Sequence, residues 1–324
     1  MNALKYSLMA WFAAGALTVS AQNDTGAAQF PELTPDVRGA GMGNTGVASS
    51  ANAFSVWRNA AKSVFSDKKS EIGYSYTPWM RELIKGNHLH SAGGYYNIDD
   101  KQGVTAGFRY FKHAKIDLLE NDATFTPKDW SIEFGYACKL MKGLSVGATA
   151  RFVRSDLSGV EKDAVANAVA FDLGVYYRHT LCGSEQSQWA VGLQAANFGT
   201  KIDYGHGKYQ QPARVAIGGM IDHAFCDNHR LQGTLDVGCK VLPNTCWDWA
   251  IGAEYTACDK VFVRGGYHWG EEDNRMQRYG TIGLGVHLCH ISADASYVIP
   301  EKDSFLKNTW QVAVAIDLGW FTNK

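Results

Sequence analysis

From Glu71 to the C-terminus the chain alternates apolar and polar residues with a period of two. Leu144, Val146, Ala148, Ala150 and Phe152 interleave with Ser145, Gly147, Thr149 and Arg151. Trp247, Trp249, Ile251, Ala253 and Tyr255 interleave with Asp248, Ala250, Gly252, Glu254 and Thr256. Near the end Trp310, Val312, Val314, Ile316, Leu318 and Trp320 interleave with Gln311, Ala313, Ala315, Asp317 and Gly319. Strand side chains alternate between two faces, so the pattern predicts strands with one apolar and one polar face. About fourteen such segments can be counted. They start near Glu71, His88, Gly103, Asp129, Gly143, Val165, Ser187, Tyr209, Asn228, Cys246, Lys260, Gln277, His290 and Asn308. Each apolar face covers about 9 to 11 residues, the length a tilted strand needs to cross a bilayer. A soluble β-sandwich also alternates, but its strands average about 5 to 6 residues.

The charges decide which face meets lipid. Glu133, Arg151, Asp172, Asp236, Glu254, Arg264, Asp294 and Asp317 all fall on the polar face. An Arg or Lys facing lipid at mid-depth costs roughly 2 to 4 kcal/mol. These charges are therefore expected in a polar lumen, where the two signs can pair. The connections agree: counted from the periplasm, long ones (112–128, 155–164, 199–208, 270–276, 300–307) alternate with tight ones (99–102, 139–142, 257–260, 288–290). Only 241–245 is short for an outer loop. Trp79, Trp130, Trp247, Trp269 and Trp310 fall near the outer rim, and Trp189 and Trp320 near the inner one, as two aromatic girdles. The predicted fold is all-β, a fourteen-stranded antiparallel transmembrane β-barrel over residues 70–324.

Composition narrows the remaining choices. Lys5, the apolar run Leu8–Val19 and the small residues Val19-Ser20-Ala21 read as a signal peptide, residues 1–21, removed after Ala21 on export. Beyond it no run of about 18 apolar residues occurs, so crossing a membrane requires a closed barrel. The expected location is the outer membrane. A net charge of -1 provides no footprint for nucleic acid. Residues 22–69 lack any period; the Gly-rich stretch Phe30–Phe65 within them is expected to be a plug, or hatch, held inside the barrel.

Four runs carry a family resemblance. TPDVRGAGMGNTGVASSANAFSVWRNAAK, EIGYSYTPWMREL, GGYYNIDDKQGVTAGFRYF and ATARFVRSDLSG together resemble the N-terminal half of the PorV/PorQ family. These are outer-membrane proteins of Bacteroidota, related in fold to the FadL fatty-acid transporters. The resemblance covers residues from about Phe30 to Val160 and implies a FadL-like barrel with an N-terminal hatch. For the PorV branch it also implies a part in type IX secretion, where the barrel binds the C-terminal signal domain of exported cargo and passes it to attachment machinery. One departure stands out: Asn59-Ala60-Ala61 occupies the place of the family's Asn-Pro-Ala.

Candidate chemistry is sparse. Gly41-Met42-Gly43-Asn44-Thr45-Gly46 matches the dinucleotide glycine pattern, but Pro35-Asp36-Val37-Arg38 precedes it instead of a hydrophobic strand. These glycines are expected where backbone packs too closely for side chains. Arg38, Gly41, Gly43, Gly46, Arg58, Asn59 and Ala61 are the candidate hatch residues, with Arg38 and Arg58 expected to pair with lumen acids such as Asp172 or Glu254. No nucleophile elbow, paired acid helix or zinc-protease motif occurs, so no catalytic residue, cofactor or enzymatic activity is expected. His287, Cys289 and His290 crowd one turn without the second ligand pair that zinc wants, and no metal is expected. His88 and His90 read as rim residues. Of seven cysteines, Cys138, Cys182, Cys226, Cys258 and Cys289 fall at inner turns, while Cys239 and Cys246 flank an outer hairpin that a disulfide could bridge. Free thiols are the favoured reading.

Three functions are compatible with this reading. The first is a protein-binding component of an outer-membrane secretion or assembly machine, with other outer-membrane or surface-exposed proteins as partners. The second is a FadL-like passive transporter of hydrophobic small molecules through a hatch and a lateral opening. The third is a structural barrel without transport.

Overall fold

A computed structural model describes residues 30–319, apart from 83, 119–122, 158–164, 182–185, 205–206, 227, 272–276 and 302–305. The expected signal peptide, Cys182 and Trp320 lie outside the described residues.

Among the described residues eighteen strands follow a short irregular start. The first nine are β1 (Ser70–Pro78), β2 (His88–Asn97), β3 (Gln102–Lys112), β4 (Ile116–Leu118), β5 (Ala123–Phe125), β6 (Lys128–Met141), β7 (Leu144–Asp156), β8 (Val165–Thr180) and β9 (Gln188–Gly199). The rest are β10 (Ile202–Asp203), β11 (Lys208–Tyr209), β12 (Arg214–Cys226), β13 (His229–Lys240), β14 (Cys246–Ala257), β15 (Val261–Gly270), β16 (Tyr279–Leu288), β17 (Ile291–Pro300) and β18 (Trp310–Asp317). Fourteen of them close one antiparallel barrel, each beside its barrel neighbour in chain order, with β18 returning to β1. That seam runs from Glu71 opposite Asp317 to Tyr76 opposite Val312. β4 with β5 and β10 with β11 are small hairpins within two long outer connections.

Thirteen strand starts lie within two residues of the alternation's prediction. The exception is the segment expected from Tyr209, whose barrel pairing begins at Arg214. Tyr209 pairs instead with Ile202, and Gln211 donates its side-chain amide to the carbonyls of Val169 and Thr200.

The faces are arranged as the charges require. Along β14, Trp247 and Ile251 are 57% and 51% exposed on the outer wall, whereas Asp248 and Glu254 are buried toward the lumen. An apolar exterior over a polar interior suits lipid outside, and closure leaves no unpaired strand edge there. No helix among the described residues is long and apolar enough to cross a membrane.

Inside the barrel lies the segment preceding β1. It contains one turn of helix, α1 (Val37–Gly41), and 3-10 turns at Ser55–Trp57 and Ala60–Phe65. α1 leans on β15–β18, and the second 3-10 turn packs against β2, β3 and β6–β8, so the segment bridges the lumen. Val37, Val56, Phe54 and Trp57 bury their side chains beside Ala313 and Ala315. Burying an aliphatic or aromatic side chain of this size is worth roughly 1.5 to 3 kcal/mol. At the outer mouth Phe30 sits among Leu89, Phe111, Val153 and Ile202.

Candidate functional site: the hatch and its charged cradle

Arg38, on α1, is the main polar link between hatch and wall. Its Nε donates to Glu254 Oε2 at 2.9 Å and its Nη2 to Oε1 at 2.6 Å, a two-pronged pair. Further donations reach Gln232 Oε1 and Ser50 Oγ. Glu254 also accepts from Arg264 Nε at 2.5 Å, because the two residues face each other across β14 and β15. Arg264 then spans β16 to reach Asp294 Oδ1 on β17 at 2.5 Å. Gly285 makes that reach possible: a Cβ there would lie 2.5 Å from Asp294 Oδ1 and 2.8 Å from Arg264 Nη1.

The glycine motif is held by backbone contacts. The N–H groups of Gly46 and Val47 both donate to Asp236 Oδ2, at 2.7 and 3.0 Å, and successive amides aimed at one carboxylate form an anion nest. Gly43 N–H donates to Thr281 Oγ1 at 2.7 Å, and that hydroxyl donates to Gly41 O. Gly43 has φ +68°, and a Cβ on it would lie 2.6 Å from Tyr267 O and 2.7 Å from Ile251 O. Only glycine suits both the backbone angle and the close approach. At Gly41 a Cβ would sit 3.1 Å from Gly283 Cα, so glycines on hatch and wall face each other.

Asn59 ties the other side of the hatch. Its Oδ1 accepts from Ala61 N–H at 3.1 Å and so caps the 3-10 turn. Its Nδ2 donates to Val175 O on β8 at 3.0 Å and to Val47 O at 3.2 Å. Ala61 O accepts from Ser145 Oγ on β7 at 2.6 Å. Arg58 differs from expectation: it donates to Asn44 Oδ1, and its Nε lies 3.9 Å from Asp36 Oδ2, both within the hatch. Asn44 and Asp36 hold it within the hatch, and Asp172 is already engaged by Arg151. Lys62 is fully buried, donating to Gly46 O at 2.8 Å and Ser49 Oγ at 3.1 Å. Burial lowers the Lys62 ammonium to about 8, despite the nearby Asp36 carboxylate, and it likewise lowers Arg58. Burial opposes the charge on Arg38 too, but Glu254 outweighs it and holds the guanidinium above its ordinary value.

A second ladder of charges crosses four neighbouring strands. Arg109 on β3 donates to Glu133 on β6 at 2.7 Å, Arg151 on β7 reaches Glu133 at 3.1 Å, and it also reaches Asp172 on β8 at 2.7 Å. Arg109 donates as well to Pro31 O, tying the start of the hatch to the wall. Asp172 Oδ1 accepts the N–H of Asn197 at 2.7 Å, where β9 carries a bulge and Asn197 has φ 62°. Arg214 pairs with Asp248 at 2.6 Å in a third unit. Asp317 is placed differently from the other seven named charges. It lies at the inner rim, half-buried, accepting the N–H of Gly319.

Arg109, Arg214, Asp248, Asp36 and Lys62 were not among the sequence candidates. Arg109 and Asp248 occupy the polar face of their alternating segments, beside Gly107 and Ala250, so period-two reading would have reached them. Lys62 and Asp36 lie in the aperiodic hatch, where no face can be assigned.

Register rules out the alternative of a disulfide across the outer hairpin. Cys239 pairs opposite Trp247 and Lys240 opposite Cys246. Directly opposed residues share a face and adjacent ones do not, so Cys239 and Cys246 point to opposite sides of the wall. The six described cysteines are unbridged. His88 and His90 accompany Tyr76 and Tyr74 on the outer wall, with Nδ1 to phenol distances of 2.7 and 2.6 Å. His287, Cys289 and His290 form no metal cluster, and no group of three or more such ligands occurs among the described residues.

A fourteen-stranded barrel with an N-terminal segment across its lumen is in keeping with the hatch that the sequence resemblance implies. Residues 18–246 match the family model described as Type IX secretion system protein PorV. The chain belongs to the PorV family. It is thus a secretion-associated outer-membrane β-barrel. No curated protein matches its sequence. Among solved structures it is similar to the toluene transporter TbuX of Ralstonia pickettii, with TM-score 0.52 and 12% identity over 87% of this chain and 96% of that one. The toluene transporter TodX of P. putida gives TM-score 0.57 at 11% identity, over 86% and 96% of the two chains. A Pseudomonas aeruginosa FadL homologue gives 0.50 at 12%, over 88% and 98%. At these identities the likeness is one of fold, and it extends the PorV-family assignment to a FadL-like architecture.

Proposed function

We propose that this PorV-family barrel is a protein-binding component of an outer-membrane secretion or assembly machine, taking exported cargo or partner barrels on its rims and outer loops. Beside family membership, one observation carries the reading: the lumen charges are bound to one another and to the hatch. Arg38, Glu254, Arg264 and Asp294 form one unit, and Arg109, Glu133, Arg151 and Asp172 another. A lumen braced in this way is a rigid scaffold, which leaves binding to the surfaces around it. The test is purification of the tagged full chain from outer membranes in mild detergent. Stable protein partners in near-stoichiometric amount are expected; copurified lipid without protein partners would count against the reading.

Passive transport of a hydrophobic small molecule is the second reading. The apolar cluster of Leu89, Phe111, Val153 and Phe30 at the outer mouth supports it, and the structurally similar TbuX and TodX are toluene transporters. The glycines of β16 do not supply the lateral opening it would use, because β16 pairs without interruption on both sides. The strand irregularity in mid-barrel lies instead at the β8–β9 bulge. Hydrocarbon uptake into proteoliposomes faster than into empty ones would favour this second reading.

A further inference from the structure

A cavity of about 70 Å³ lies at the outer end of the lumen, between the hatch and the wall formed by β1 and β16–β18. Its polar lining is unusual. Thr34, Thr77, Thr309 and Gln311 all line it, and each carries a buried side-chain oxygen with no hydrogen-bond partner in the protein. Thr77, Thr309 and Gln311 are 1%, 0% and 7% exposed. An unpartnered buried oxygen costs roughly as much as a lost hydrogen bond, and most buried polar groups avoid it. Four around one cavity mark a place where hydrogen bonds are offered to something else. Asn44, Tyr279 and Glu32 add further polar groups, and the apolar part is Leu33 and Ala40 from the hatch, Trp79 after β1, and Val298 and Leu306 from the far wall.

We infer that this cavity is a binding site for a small uncharged molecule carrying hydroxyl groups on an apolar body. The amide oxygen of Gln311 can only accept, so the occupant must donate at least one proton. The three threonine hydroxyls can donate or accept, which suits further alcohol groups. Charge selects against ions. No Lys, Arg or His lines the cavity, and the one carboxylate there, Glu32, is paired with Lys240 at 2.5 Å. An anion would find no cationic side chain in the lining, and a cation would have to compete with Lys240 for Glu32. The site thus differs in chemistry from the apolar cluster around Phe30, and it stands whether the barrel handles protein cargo or not.

The test uses the purified full chain in detergent and 1,2-butanediol as probe, with butyrate as its anionic counterpart, read by saturation-transfer NMR at millimolar concentration. Saturation transfer to the diol and none to butyrate is expected. The double variant Thr309→Val with Gln311→Leu keeps side-chain volume while removing two of the offered oxygens. It should weaken the diol about fivefold or more, given that one net hydrogen bond is worth up to roughly tenfold, with the heat-modifiable gel mobility of the folded barrel unchanged. If that variant does not fold, Thr77→Val, lining the same cavity from β1, is judged by the same criterion. Equal transfer to diol and butyrate, no transfer to the diol on the wild type, or unaltered diol binding in a folded variant would each overturn the site.

Discussion

Glu254 illustrates how one side chain can bind two parts of the molecule. It is buried to 2% exposure and accepts from Arg38 of the hatch and Arg264 of the wall. Glu254→Gln leaves both guanidiniums facing a neutral amide, and breaking a buried pair from one side costs about 3 to 5 kcal/mol. The expected result is a fall of that order in unfolding stability, measured by urea titration of the gel-shifted barrel. Arg38→Met should cost less, because Glu254 keeps Arg264. Lys62 gives a pH signature. Its folded value of about 8 lies below its ordinary 10.5, so the unfolded chain binds more protons between these limits. Stability should therefore rise with pH across that window, and Lys62→Met should flatten the rise when both are titrated at pH 7 and pH 10. The Arg38–Glu254 pair could be anticipated because both charges sit where an alternating wall meets an aperiodic plug. The inward turn of Arg58 could not, since contacts inside an aperiodic segment leave no repeating trace.

At the scale of elements, strands were legible and departures from them were not. Alternation located thirteen of fourteen starts because a strand between lipid and lumen must change polarity at every residue. The bulge in β9 depends on a contact from the preceding strand, β8, where Asp172 accepts the N–H of Asn197, so nothing within β9 announces it. The glycines of β16 make room for the plug and its charges: Gly283 faces Gly41, and Gly285 leaves space for the side chain of Arg264. The 3-10 turn Ala60–Phe65 offers a sharper test. Ala60 opens this turn after the cap Asn59, a position where proline costs no hydrogen bond. It also borders a small cavity next to Val56 and Thr149. Ala60→Pro, which restores the family's Asn-Pro-Ala, should therefore fold normally and gain about 0.4 to 1 kcal/mol by restricting the unfolded chain. A higher urea midpoint for the variant is the expected reading; a lower one means the ring does not fit.

For the whole molecule the hatch is expected to seal the barrel. Removing residues 30–66 would take away Arg38, Asn59 and the glycine loop together while leaving every barrel strand intact. The truncated chain should still insert, since strand pairing closes without the hatch, and it should conduct ions in planar bilayers where the full chain does not. Little conductance from the truncated barrel would show that the outer loops seal the mouth unaided.

The class of fold, the number of barrel strands, their facing and the family follow from local rules: period two, the cost of a charge in lipid, and runs of matching residues. Only the tertiary structure decided which charges pair, that Cys239 and Cys246 lie on opposite faces, and that four unpartnered oxygens gather around one cavity. Those facts depend on residues far apart in the chain, such as Arg38 and Glu254, 216 positions apart, whose meeting is set by barrel closure and strand register. No short stretch of chain records that geometry.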